Sequence, residues 1–193
     1  MRSLANTGIT ANHLTIFSCV LSVTFGLLLA THADARGWWL LLAPILLFRM
    51  ALNAMDGILA REFGQKSDLG GYLNELCDVV SDAFLVLPFA YLPNFDPLWV
   101  GAVIVLAVIS EMSGTLAIAI GSKRRYDGPM GKSDRALVFG LCGLWIGMGQ
   151  SVPPWFSYWF IRVIVLLLVV TIVNRVRRGL AEADSRALKA GVS

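Results

Sequence analysis

The chain has 193 residues, 56% of them hydrophobic and only 15% charged, with a net charge of +3 and a mean hydropathy of +0.69. Soluble domains carry about 25% charged residues, so this composition excludes a water-soluble globular domain. With so small a net charge, no nucleic-acid partner is expected.

The predicted class is all-α: six transmembrane helices forming one membrane domain over residues 11–178, with a cytoplasmic segment at 1–10 and a cytoplasmic tail at 179–193. Each span approaches the ~20 residues a bilayer requires. The first is 11–31. Ala33-Asp34-Ala35 after it resembles a signal-peptide cleavage site, but the uncharged run 14–30 is long for such a peptide and only Arg2 precedes it. The span is therefore read as retained. The second, 37–62, carries Arg49, Asn53 and Asp56; the third, 69–92, carries Asn74, Glu75, Asp78 and Asp82. The fourth, 97–121, holds Glu111, and the fifth and sixth are 133–151 and 154–177. Pro97, Pro153 and Pro154 stand at span starts, where a missing N–H costs nothing. Cys19, Cys77 and Cys142 lie inside apolar segments without a CxxC pair and read as small buried hydrophobes. Gly143 and Gly147 form a GxxxG pair suited to packing spans or subunits.

Orientation follows the basic residues. Arg2, Arg61, Lys66, Lys123, Arg124, Arg125, Lys132, Arg135, Arg175, Arg177, Arg178, Arg186 and Lys189 fall on one side, and Arg36 alone on the other. Both termini are therefore expected in the cytoplasm.

Charges inside a membrane cost about 2.5–3.5 kcal/mol each on insertion scales and mark function. Spans two and three form a hairpin turning near 63–68. Antiparallel pairing sets Asp56 level with Asn74, Asn53 with Asp78, and Arg49 with Asp82. At about 1.5 Å per residue this layer is ~10–15 Å below the cytoplasmic helix ends, a depth Glu111 shares. Spacings of three and four put Asn53 and Asp56 on one helix face and Asn74 and Asp78 on another. Four oxygen-bearing side chains suit a hard cation such as Mg²⁺ or Mn²⁺; a metal-free hydrogen-bonded network fits the spacing equally well. One turn deeper, Arg49 and Asp82 are expected to form an ion pair closing the site's floor.

The stretch 53–78, "NAMDGILAREFGQKSDLGGYLNELCD", resembles the signature of the CDP-alcohol phosphotransferase family, D-x2-D-G-x2-A-R-x8-G-x3-D-x3-D. Asp56, Gly57, Ala60, Arg61, Gly70 and Asp78 match in register, and "GITANHLT" before the first span resembles the family's entry segment. The resemblance implies a donor such as CDP-diacylglycerol, a small polar or phosphorylated alcohol acceptor, release of CMP, and a homodimer in a bacterial inner membrane with its site facing the cytoplasm. It implies Asn53, Asp56, Asn74 and Asp78 as metal ligands and Asp78 as general base. Asp56, Gly57, Ala60, Arg61 and Gly70 would bind the CDP-alcohol, and Lys132 and Arg135, with Glu111, the acceptor. Asn53 and Asn74 depart from the pattern, standing where the first and third aspartates belong. Each removes a negative charge, so metal is expected to bind chiefly with the substrate diphosphate or as one firm ion; Glu75 is placed to restore charge. An ion transporter and an inactive relative are the competing readings; CMP release separates the enzyme from both.

Overall fold

A computed structural model describes residues 8–191. Arg2, with the rest of residues 1–7, and residues 192–193 of the expected tail lie outside the described residues. Among the described residues there are six long helices: α1 (Ala11–Thr31), α2 (Leu42–Glu62), α3 (Asp68–Val86), α4 (Pro97–Ala119), α5 (Lys132–Gly147) and α6 (Pro154–Gly191). A single turn, Arg36–Trp39, precedes α2, and a 3₁₀ turn, Leu87–Tyr91, follows α3. No strand occurs among the described residues.

Among the described residues four segments are long and apolar enough to cross a membrane: Ala11–Thr31, Arg36–Glu62, Pro97–Ala119 and Pro154–Arg186. The six expected spans are thus six helices, of which four meet that standard. The exceptions have physical causes. The 19 residues of α3 include Asn74, Glu75, Asp78 and Asp82, and α5 has only 16 residues. The span expected to reach 92 leaves α-helix at Val86, because Pro88 has no N–H to continue the ladder. The helix expected to end at 177 runs on to Gly191, through a charged stretch where Arg186 pairs with Glu182 one turn away.

The chain divides into two compact units, Met1–Leu92 with Ala136–Ser151, and Pro93–Arg135 with Val152–Ser193. In the first, α1 packs against both α2 and α3. Its start is fixed by a capping box, in which the His13 N–H donates to Thr10 Oγ1 and the Thr10 N–H to His13 Nδ1, both at 3.3 Å. The Ala11 N–H donates to Gln65 Oε1 at 2.8 Å, which ties α1 to the α2–α3 turn. Along α1, a Cβ on Gly26 would lie 2.2 Å from the Phe84 carbonyl oxygen, so α1 and α3 meet at a distance only glycine permits. The GxxxG pair packs within the chain: a Cβ on Gly143 would lie 2.7 Å from Leu42 Cδ2, and one on Gly147 2.6 Å from the Leu40 nitrogen.

In the second unit α4 packs against α6, burying Val100, Val103, Ile161, Ile164 and Leu168. Arg162, expected within a span, lies over the ring of Tyr158 at 3.5 Å and that of Trp99 at 4.4 Å. The aromatic faces compensate its charge.

Candidate active site

The α2–α3 hairpin brings together Asn53 with Asp78 and Arg49 with Asp82, whereas Asp56, expected level with Asn74, is met by α1. Asn53 Nδ2 donates to Asp78 Oδ1 at 2.8 Å. One turn along α2, Arg49 Nη1 stands 2.5 Å from Asp82 Oδ1. The same guanidinium donates through Nη2 to Asp78 Oδ1 at 3.3 Å and to the Asp78 carbonyl at 3.0 Å. Arg49 is 1% exposed, so its charge is held by protein groups rather than by water. It therefore ties the floor pair to the carboxylate above it, a link the sequence did not indicate. Asp56 is 5% exposed, and Thr15 Oγ1 on α1 donates to its Oδ2 at 2.7 Å. Ser18 Oγ, one turn on, donates to Asn53 Oδ1 at 3.4 Å.

Thr15 and Ser18 were missed in the sequence. With Ser22 they form a polar stripe on α1 at spacings of three and four. Hydroxyls are common in membrane helices, where they usually bond the preceding turn. Ser22 does so, donating to the Ser18 carbonyl at 2.7 Å.

The remaining expected residues divide by surroundings. Asn74 and Glu75 are half-buried on α3, one turn before Asp78. A Cβ on Gly57 would meet only Arg61 of its own helix, at 3.4 Å, so that face of α2 is open. Arg61 is exposed and folds back, its Nε donating to the Gly57 carbonyl at 3.1 Å. Ala60, three residues on, is partly buried, packing on a cluster of Ala11, Leu14, Leu52 and Leu59. A Cβ on Gly70 would lie 2.8 Å from Asn12 Oδ1.

Glu111, Lys132 and Arg135 belong to the second unit. Arg135 Nη2 donates to Glu111 Oε1 at 3.0 Å. Arg175 Nη1 and Arg124 Nη2 stand 3.4 and 3.6 Å from Glu111 Oε2. Arg135 and Arg175 are 3% and 2% exposed. Arg135 also donates to the Met130 carbonyl, and Arg175 to those of Ser110 and Asp127. Arg175, expected at the membrane surface, is instead a buried tie between α4, the following loop and α6. That loop is stapled to α6: Ser122 Oγ and Arg125 Nη1 donate to Glu182 Oε2 at 2.8 and 2.9 Å, and the Met130 N–H to Thr171 Oγ1 at 3.0 Å. Burial pushes the Asp127 carboxyl up, but hydrogen bonds from Arg125 and Arg178 outweigh it and hold the group below the usual carboxylate range. Lys132, half-buried, opens α5.

Among the described residues no group of three or more His, Cys, Asp or Glu side chains is placed to hold a metal. The amides at 53 and 74 account for that shortage of charge. The oxygens of Asp56, Asn74 and Asp78 still suit a hard divalent cation in kind, whereas Asn53 turns its nitrogen toward Asp78.

The sequence profile of the CDP-alcohol phosphatidyltransferase family matches residues 8–173. The chain belongs to this family. It is 45% identical over 174 residues to inner membrane protein YnbA of Escherichia coli (strain K12), covering 88% of this chain and 83% of that one. It is 36% identical over 89 residues to archaetidylinositol phosphate synthase of Pyrococcus horikoshii, a match spanning 46% of this chain and 45% of that protein. The fold resembles that of Mycobacterium tuberculosis phosphatidylinositol phosphate synthase. Its complex with manganese and citrate matches with a TM-score of 0.76 at 22% identity, covering 93% of this chain and 86% of that one. Its form with CDP-DAG bound gives 0.71 at 23% identity, covering 94% and 90%. At these identities the likeness establishes the fold.

Proposed function

We propose that this family member transfers a phosphatidyl group from CDP-diacylglycerol to the hydroxyl of a small polar or phosphorylated alcohol, as a homodimer in a bacterial inner membrane with the site on the cytoplasmic side. The observation that carries this is the Asp78 carboxylate, which Asn53 and Arg49 orient through its Oδ1, within the family's own motif. In the reaction, the acceptor oxygen forms a bond to the phosphorus bearing the lipid alcohol. The bond from that phosphorus to the bridging oxygen breaks, CMP leaves with the electron pair, and the acceptor proton passes to Asp78. Arg61 meets the diphosphate as it enters from the cytosol, and the open face at Gly57 admits the nucleotide, while Ala60 and Gly70 support that surface through their packing on the Leu52–Leu59 cluster and on Asn12. Lys132 and Arg135 hold the acceptor, Arg135 through the Glu111 cluster.

Mg²⁺ or Mn²⁺, when bound, neutralises the diphosphate and stabilises the leaving phosphate. Asp56, Asn74 and Asp78 would hold it, with Asn53 contributing only if its amide turns.

The two asparagines favour one further reading, a family member without activity. Purified protein given CDP-diacylglycerol, Mn²⁺ or Mg²⁺ and a panel of glycerol phosphate, inositol phosphate, serine and free polyols separates the two. CMP release with one acceptor identifies the enzyme and its acceptor. No CMP with any of them, under conditions where a related synthase turns over, supports the inactive reading.

A further inference from the structure

Asn53 is half-buried between α1 and α3, with both ends of its amide engaged: Nδ2 donates to Asp78 Oδ1 at 2.8 Å, and Oδ1 accepts from Ser18 Oγ at 3.4 Å. The chemistry fixes this orientation. An ionised carboxylate only accepts hydrogen bonds, whereas a serine hydroxyl can donate. Turning the amide over would set two acceptor oxygens against each other at the shorter contact. Arg49 Nη2 approaches the same oxygen at 3.3 Å. The negative charge at Asp78 is therefore met by two donors belonging to the chain itself.

An aspartate at position 53 has no proton to give. Two ionised carboxylates about 3 Å apart repel strongly, and only a cation or a shared proton relieves them. An amide N–H in that place makes the contact attractive without either.

We propose that Asn53 is a positioning residue whose amide stands in for a bridging cation between positions 53 and 78, so that the site takes a single divalent ion and is folded without one. The single ion rests on the oxygens of Asp56, Asn74 and Asp78. This deepens the transferase reading above and rests on it for the presence of an ion; the donor role of Asn53 rests on geometry alone.

The test uses the whole protein in detergent, with Mn²⁺ as probe, read by Mn²⁺ binding stoichiometry in electron paramagnetic resonance and by thermal unfolding with and without EDTA. The wild type is expected to bind one Mn²⁺ per chain and to melt within about 2 °C of the same temperature in EDTA. Asn53→Asp is expected to melt roughly 4–8 °C lower in EDTA, to recover in Mn²⁺, and to bind a second ion. Asn53→Ala, which loses the donor without adding charge, is expected to melt lower in both conditions and still bind one ion. Two ions in the wild type overturn the proposal, as does an Asn53→Asp variant whose melting temperature ignores Mn²⁺. If Asn53→Asp does not fold, the wild-type stoichiometry and Asn53→Ala decide it. One bound ion without CMP release would sink the transferase reading and leave this proposal standing; CMP release with two bound ions would do the reverse.

Discussion

Two polar regions lie within this apolar chain, and they are built with opposite charge. Around the α2–α3 hairpin, Arg49 pairs with both Asp78 and Asp82, and Asp56 adds a third carboxylate met by a hydroxyl. In the second unit the ratio reverses, with Glu111 facing Arg124, Arg135 and Arg175. An acid-rich cluster in a low-dielectric setting favours a positive guest or a proton to accept. An arginine-rich cluster favours an anion. The hydrogen-bonding partners on each side differ as well. Amides and hydroxyls supplement the carboxylates, whereas backbone carbonyls of Met130, Ser110 and Asp127 supplement the arginines.

Substitutions that blur this contrast should have graded effects. The largest is expected from Asp56→Asn, which strips the acid-rich cluster of a buried charge. CMP formation should fall at least roughly 10²-fold and the half-saturating Mn²⁺ concentration should rise; unchanged Mn²⁺ dependence would remove Asp56 from the metal site.

Next come Arg49→Ala and Asp82→Ala, measured by unfolding in detergent. Each should lose about 3–5 kcal/mol, because a buried charge is left without its partner. Arg49→Ala should lose more, since it also releases Asp78, and the double variant should lose less than the sum. Additive losses would mean that the pair is not coupled.

Lys132→Ala should raise the KM for the acceptor about tenfold, the worth of one charged hydrogen bond, while the KM for the CDP-alcohol changes little. Equal effects on both substrates would leave Lys132 with a topological role only. Arg135→Ala should add a stability loss, because it also breaks the contact with Glu111.

The smallest effect concerns acid. Asp127 is held below its ordinary value in the folded chain. Its contribution is therefore complete above that value and is lost as pH falls through and below about 4. Hydrogen exchange in residues 122–131 should quicken there while that of α1 does not; equal quickening in both would point to global unfolding instead.

Much of the first region was legible in the sequence because an antiparallel hairpin turns index into depth. Asn53, Asp78, Arg49 and Asp82 meet where the pairing predicts. What escaped was the contribution of α1. Thr15 and Ser18 look neutral in a hydropathy reading, and nothing in their spacing shows which helix they face. The second region was less legible. Arg175 reads as a surface charge at the end of a span, yet three-dimensional packing buries it on Glu111. Helix ends depended on local chemistry, at Pro88 and along the charged extension of α6, rather than on hydropathy. The GxxxG pair signals close helix approach without naming the partner, which proves to be the segment around Leu40 and Leu42 of the same chain.

The central claim is that the acid-rich cluster performs phosphatidyl transfer with Asp78 as its base. The most direct measurement is a time course of CMP release from CDP-diacylglycerol by wild type and Asp78→Asn side by side, with the acceptor panel and Mn²⁺ present. Wild type is predicted to release CMP one-for-one with a new lipid phosphodiester, and Asp78→Asn, equally well folded by thermal unfolding, to be slower by roughly 10²–10⁴-fold. Equal rates from the two proteins, or no CMP from either, would contradict it.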